Sequence, residues 1–152
     1  MATATPTALK TGRELVTPDL FGRLVNRIVK DEKIEPALAE RIMSDTLGFL
    51  DACGNNPGAP LAPSELVDIG WHTFIVYTEP YADFCQRTAG RFIHHSPADE
   101  PGKTYEPKAD TRLRAIEAMR RLGYTPDPEL WGIGADCTQC HAGCSDSNYD
   151  GR

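Results

Sequence analysis

The residues best equipped for chemistry stand near the C-terminus, where Cys137-Thr138-Gln139-Cys140-His141-Ala142-Gly143-Cys144 places four candidate ligands within one short stretch. Two residues between Cys137 and Cys140 let the chain bend so that both thiolates reach one ion. Cys144 offers a third thiolate, and Gly143 gives the backbone freedom to bring it round. The segment has almost nothing apolar with which to order itself, so a bound metal would supply the ordering free energy. The leading expectation is zinc held by Cys137, Cys140, Cys144 and one histidine, either His141 or one from the body of the chain. An iron–sulfur cluster on the same cysteines, with Cys53 or Cys85 as fourth ligand, is a second reading. Covalent haem is a third, because Cys137 to His141 spells CxxCH. Free or redox-active thiols at Cys137 and Cys140 complete the set.

A second cluster comprises His72, His94 and His95. Asp68 and His72 are four residues apart and share a helix face, so the carboxylate can hold the imidazole in one tautomer or join it on a metal. His94 and His95 follow Phe92-Ile93 where a core-packed segment turns toward a loop. Adjacent side chains on an extended segment diverge, so one of the two is expected to return to His72. The bland alternative for His72 is a packed histidine bonded to one carboxylate. Cys85 reads first as a small buried hydrophobe and Cys53 as inert.

Four or five helices must position these groups. Residues 1–12 are Thr/Ala-rich and read as a mobile arm. Thr17-Pro18 opens a first helix, with Thr as N-cap and Pro at the first turn, and Leu20, Phe21, Leu24, Val25, Ile28 and Val29 make its apolar stripe. A second helix runs from Glu35 to about Cys53 and stops at the Gly/Asn/Pro turn that starts the 54–63 linker. A third starts at Ser64 and is expected to end before Pro80, which opens a short fourth helix closed by Gly90. After a charged loop over 96–108, a fifth runs from about Lys108 to Leu122, presenting Leu113, Ile116 and Met119 on one side. No alternating strand pattern appears. The predicted fold is all-α, a compact bundle of four to five helices over 13–124, with an irregular Cys-rich C-terminal segment over 125–152.

Composition narrows the function. The 152 residues are 40% hydrophobic and 25% charged, with a formal net charge of −6 and a pI near 5.2. Such a field repels phosphate backbones and anionic lipid, so nucleic-acid and membrane-surface binding are not expected. The arginines of the fifth helix alternate with Glu117 and read as a solvated face. The N-terminus lacks a signal-peptide core, which points to a cytoplasmic protein whose thiols stay reduced. No phosphate-binding Gly loop, GxSxG elbow or HExxH helix is present, and the acids are too scattered for a catalytic carboxylate pair.

Residues 64–97 also carry a resemblance. The pattern Asp68, Trp71-His72, Tyr81, Cys85, Gly90 and His94-His95 resembles the helical core of the glycine-rich domain-containing protein-like family, in its small actinobacterial type. Phe74 stands where many of those relatives have a second histidine. The resemblance implies an all-α fold and adds weight to His72, and it implies no particular reaction. The functional expectation is thus a small zinc-binding accessory or regulatory protein. The alternatives are a metalloenzyme, in which His72 with His94 or His95 leaves an open metal position and Asp68 or Glu79 handles protons, and a thiol redox or electron-transfer protein.

Overall fold

The computed structural model describes residues 10–58, 60–96 and 108–132. It contains six helices, α1 (Pro18–Glu32), α2 (Pro36–Gly54), α3 (Glu65–Ile75), α4 (Thr78–Ala89), α5 (Lys108–Arg121) and the single-turn α6 (Pro128–Trp131), preceded by a 3-10 turn at Gly12–Leu15. Among the described residues there is no strand, only one isolated bridge between Lys10 and Tyr124. The fold is an all-α bundle, as the apolar periodicity predicts.

The starts of the helices follow from local chemistry. Thr17 Oγ1 accepts from Leu20 N–H, and Pro18 occupies the first turn of α1, where no intrahelical partner for its nitrogen is needed. Ser64 Oγ does the same for Val67 N–H at the head of α3. Helix α1 buries Phe21, Leu24, Val25 and Ile28 along one stripe. Helix α2 is different: Ala39, Ile42, Met43, Thr46, Leu47, Phe49, Leu50 and Ala52 are all buried, on several sides. A helix apolar around most of its circumference belongs in the centre of a bundle, and α2 packs against α1, α3, α4, α5 and the 3-10 turn.

Helices α2 and α3 approach closely at Gly70. A Cβ added at Gly70 would lie 2.0 Å from Thr46 Oγ1, so only glycine lets the two helices meet at this depth. The Thr46 hydroxyl, fully buried, lies 2.7 Å from Ile42 O and 3.0 Å from Val67 O. Its proton has an acceptor on either helix, which satisfies a polar group that would otherwise be costly to bury.

Several boundaries differ from the sequence expectation. Helix α3 ends before Pro80, as expected, but already at Ile75, and Tyr77 N–H turns back to Phe74 O. Pro80 lies inside the first turn of α4 instead of opening it, a place where proline costs no hydrogen bond. Leu113 is 56% exposed. The buried side of α5 holds the expected Ile116 and Met119 together with Ala115 and Ala118. The body also begins before residue 13: Gly12 is buried, and a Cβ there would lie 2.0 Å from Ser44 O. It continues past 124, since Leu130 and Trp131 are buried in the core.

Helix α6 is latched by Asp45. Its Oδ2 accepts from Asp127 N–H at 2.8 Å and from Trp131 Nε1 at 3.0 Å, while burial pushes its carboxyl above the ordinary value. Arg41 bonds Asp127 at 2.7 Å and Glu129 at 3.0 Å. The Arg41 guanidinium holds the Asp127 carboxyl below the usual range. A lowered folded value means that this contribution is present above the unfolded value, about 3.9, and is lost as pH falls through the folded one. Two outcomes follow. Gly70→Ala should destabilise by roughly 1–3 kcal/mol or more through overpacking, read by urea denaturation. Asp127→Asn should lower the melting temperature at neutral pH, with the difference from the native protein shrinking as the medium is acidified below about pH 4.

Candidate metal centre

Helix α3 carries two of the three side chains that converge. Asp68 in its first turn and His72 one turn later lie on the same face by their spacing, and His72 Nε2 is 3.2 Å from Asp68 Oδ2. The third arrives from the segment after α4. Gly90 ends that helix in a left-handed conformation, φ 70°, which glycine adopts without a Cβ penalty, and the chain then returns over α3. His95 Nε2 reaches 2.8 Å from Asp68 Oδ1. The carboxylate thus gives one oxygen to each imidazole. One donor atom from each of Asp68, His72 and His95 lies within 4.8 Å of the others.

The environment is graded. The His95 side chain is 18% exposed and that of Asp68 36%, while His72 is 61% exposed. His95 packs edge-on against Trp71, with ring centroids 4.4 Å apart, and against His72 at 4.4 Å. Trp71 is itself buried against Phe49. One side of the cluster is therefore walled by the core and the other opens to solvent.

The donors suit a borderline divalent ion. Two imidazole nitrogens and a carboxylate oxygen are a set that zinc accepts. A tetrahedral ion with bonds near 2.05 Å holds its donors about 3.3 Å apart. Here the imidazoles face different oxygens of Asp68, at 2.8 and 3.2 Å, and one donor atom from each residue lies within 4.8 Å of the others, so a shared ion requires the side chains to rotate onto it.

The structure separates the histidines that the sequence left equivalent. His95 joins the cluster. His94 is exposed and stacks on Phe92 at 4.9 Å instead. Asp68, expected either to orient His72 or to join it on a metal, is itself one of the three converging side chains, and its spacing from His72 was the signal for it. Cys85 is buried and its sulfur accepts a hydrogen bond from Ile93 N–H at 3.4 Å. Burial pushes the Cys53 thiol up to about 12, so the free thiol is un-ionised at neutral pH. Cys137, Cys140, His141 and Cys144 lie outside the described residues.

Fold and site together define an all-α protein with a surface cluster of two histidines and an aspartate. The profile of the UCP032817-like family matches residues 17–120. The chain belongs to that family, whose members are uncharacterised. This corrects the resemblance to the glycine-rich domain-containing family: the match is to a different family. Of the residues that carried the resemblance, Trp71, Tyr81 and Cys85 form a buried packing and hydrogen-bonding network. Such a short pattern reports local packing rather than kinship. No curated protein and no solved structure matches the chain. Among the described residues, no helix is long and apolar enough to cross a membrane.

The graded burial has a measurable consequence. In chelator-treated protein, His95→Ala should cost roughly 1–2 kcal/mol by urea denaturation, because it empties a packed site beside Trp71. His72→Ala should stay within about 0.5 kcal/mol.

Proposed function

We propose that the protein binds one divalent metal ion, zinc by the chemistry of its donors, at Asp68, His72 and His95, and serves as an accessory or regulatory metal-binding module. The observation that carries this reading is the convergence of three donor side chains, from two separate parts of the chain, within 4.8 Å. Asp68 would balance one of the ion's two charges. His72 and His95 would bind through Nε2, the nitrogens that already face the carboxylate. Ligation requires those nitrogens to be free of protons, so uptake moves a proton to Nδ1 or releases it, and affinity falls on acidification. A bound zinc ion supplies Lewis acidity at the position left on the solvent side.

That open position supports a second reading, a metalloenzyme. Catalytic zinc sites keep three protein ligands and leave the fourth place to water or substrate, whereas structural sites close all four. The 61% exposure of His72 leaves such a place reachable. Turnover of an activated ester that depends on zinc and is abolished by His95→Ala would favour the enzyme over the accessory module.

The test is zinc stoichiometry on reduced, full-length protein, measured by competition with a chromophoric chelator. The native chain should hold one more zinc per molecule than a variant with Asp68, His72 and His95 all changed to alanine. Free zinc at one hundred times its dissociation constant should stabilise the native fold by about 2.7 kcal/mol. A variant with Cys137, Cys140 and Cys144 changed to serine should keep this zinc. Equal zinc content in the native chain and the triple-alanine variant would assign the metal to the tail thiolates or to no site at all.

A further inference from the structure

One buried hydroxyl links the two stretches of chain that supply the metal donors. Tyr81, on α4, is fully buried. Its oxygen accepts from Trp71 Nε1 at 2.9 Å and donates to Ile93 O. Trp71 lies on α3 between Asp68 and His72, and its ring is the wall against which His95 stacks. Ile93 precedes His95 by two residues. The other polar group of Ile93 is also held from α4, because its N–H donates to Cys85 Sγ. Both backbone groups of this buried residue are thus satisfied by side chains of a single helix. The segment after Gly90 has no ladder or helix of its own to fix it, so these two bonds set its register over α3.

We infer that Tyr81 and Cys85 are positioning residues for the metal centre, clamping Ile93 so that His95 rather than His94 meets Asp68 and His72. The inference rests on the metal reading of that cluster. Partners that orient a ligand are commonly worth ten- to hundredfold in metal affinity. Tyr81→Phe keeps the ring that packs edge-on against Phe74 and Phe92. It removes both hydrogen bonds and leaves Trp71 Nε1 and Ile93 O without their partner. Burial raises the Tyr81 phenol above its ordinary value, so it remains a neutral donor throughout the range in which zinc binds.

The experiment compares full-length native protein, Tyr81→Phe and a control, Tyr124→Phe. The control loses a comparable hydroxyl bond, to Asp51, which is not part of the metal cluster. Zinc affinity is read by chelator competition, and cobalt substituted for zinc reports the coordination geometry through its visible bands. Tyr81→Phe should weaken zinc binding about ten- to hundredfold and alter the cobalt spectrum. Tyr124→Phe should lower the melting temperature and leave both unchanged. Wild-type affinity and spectrum in Tyr81→Phe would overturn the inference while leaving the metal site standing. Absence of zinc binding by the native protein would overturn the metal reading and this one with it. Should Tyr81→Phe fail to fold, Cys85 decides: Cys85→Ala should weaken zinc, and Cys85→Ser, which keeps an acceptor, should recover part of the loss. Equal affinity in these two variants would overturn the clamp.

Discussion

The depth at which α3 seats on α2 governs everything at the site. Gly70 meets Thr46 with no room for a Cβ, and the Thr46 hydroxyl finds acceptors on both helices. That contact lies two residues from both Asp68 and His72. Because a helix is stiff over two turns, seating Gly70 fixes the height and rotation of the face that carries those two side chains. Trp71, next along, is driven into the core against Phe49. It presents a buried indole whose N–H needs a partner, and Tyr81 provides one. The polar network beneath the site is thus a consequence of close helix packing, since a buried indole or phenol without a partner would be costly.

From that base the site is assembled by two kinds of constraint. The Asp68–His72 pair is local, set by one turn of helix. The His95 contact is not: it requires the chain to leave α4 at Gly90, return over α3 and place Ile93 in the core. The left-handed Gly90 and the bonds from Tyr81 and Cys85 accomplish this. A carboxylate flanked by two imidazoles, half sheltered and half open, is the result. As it stands the cluster is hydrogen-bonded, each imidazole to its own carboxylate oxygen, and the proposed ligand set would require the three side chains to turn onto one ion.

Legibility in the sequence followed the same division. The caps at Thr17 and Ser64, the stripe of α1 and the Asp68–His72 spacing were readable because each depends on residues within a turn of one another. Which of His94 and His95 turns inward was not readable, since it depends on how Tyr81 and Cys85 grip Ile93. The burial of Trp131 was missed for a related reason: a four-residue helix has too little periodicity to announce a core face, and its anchor, Asp45, is distant in sequence. Leu113 was placed on the core face with Ile116 and Met119, yet α5 exposes it and buries Ala115 and Ala118 beside the other two. The short motif around Trp71-His72 suggested the wrong family because it records a packing arrangement. The matched profile spans 17–120 and therefore includes the helices that build that arrangement.

In the proposed site, His72 and His95 bind one ion together through Nε2. Long-range proton–nitrogen NMR of the histidine rings, recorded on full-length protein without metal and at saturating zinc, observes this directly. The Nε2 resonances of both His72 and His95 should move to metal-bound positions at the same zinc equivalence, with both rings protonated at Nδ1 and His94 unaffected. Zinc uptake that leaves the His72 and His95 nitrogens unchanged would contradict it.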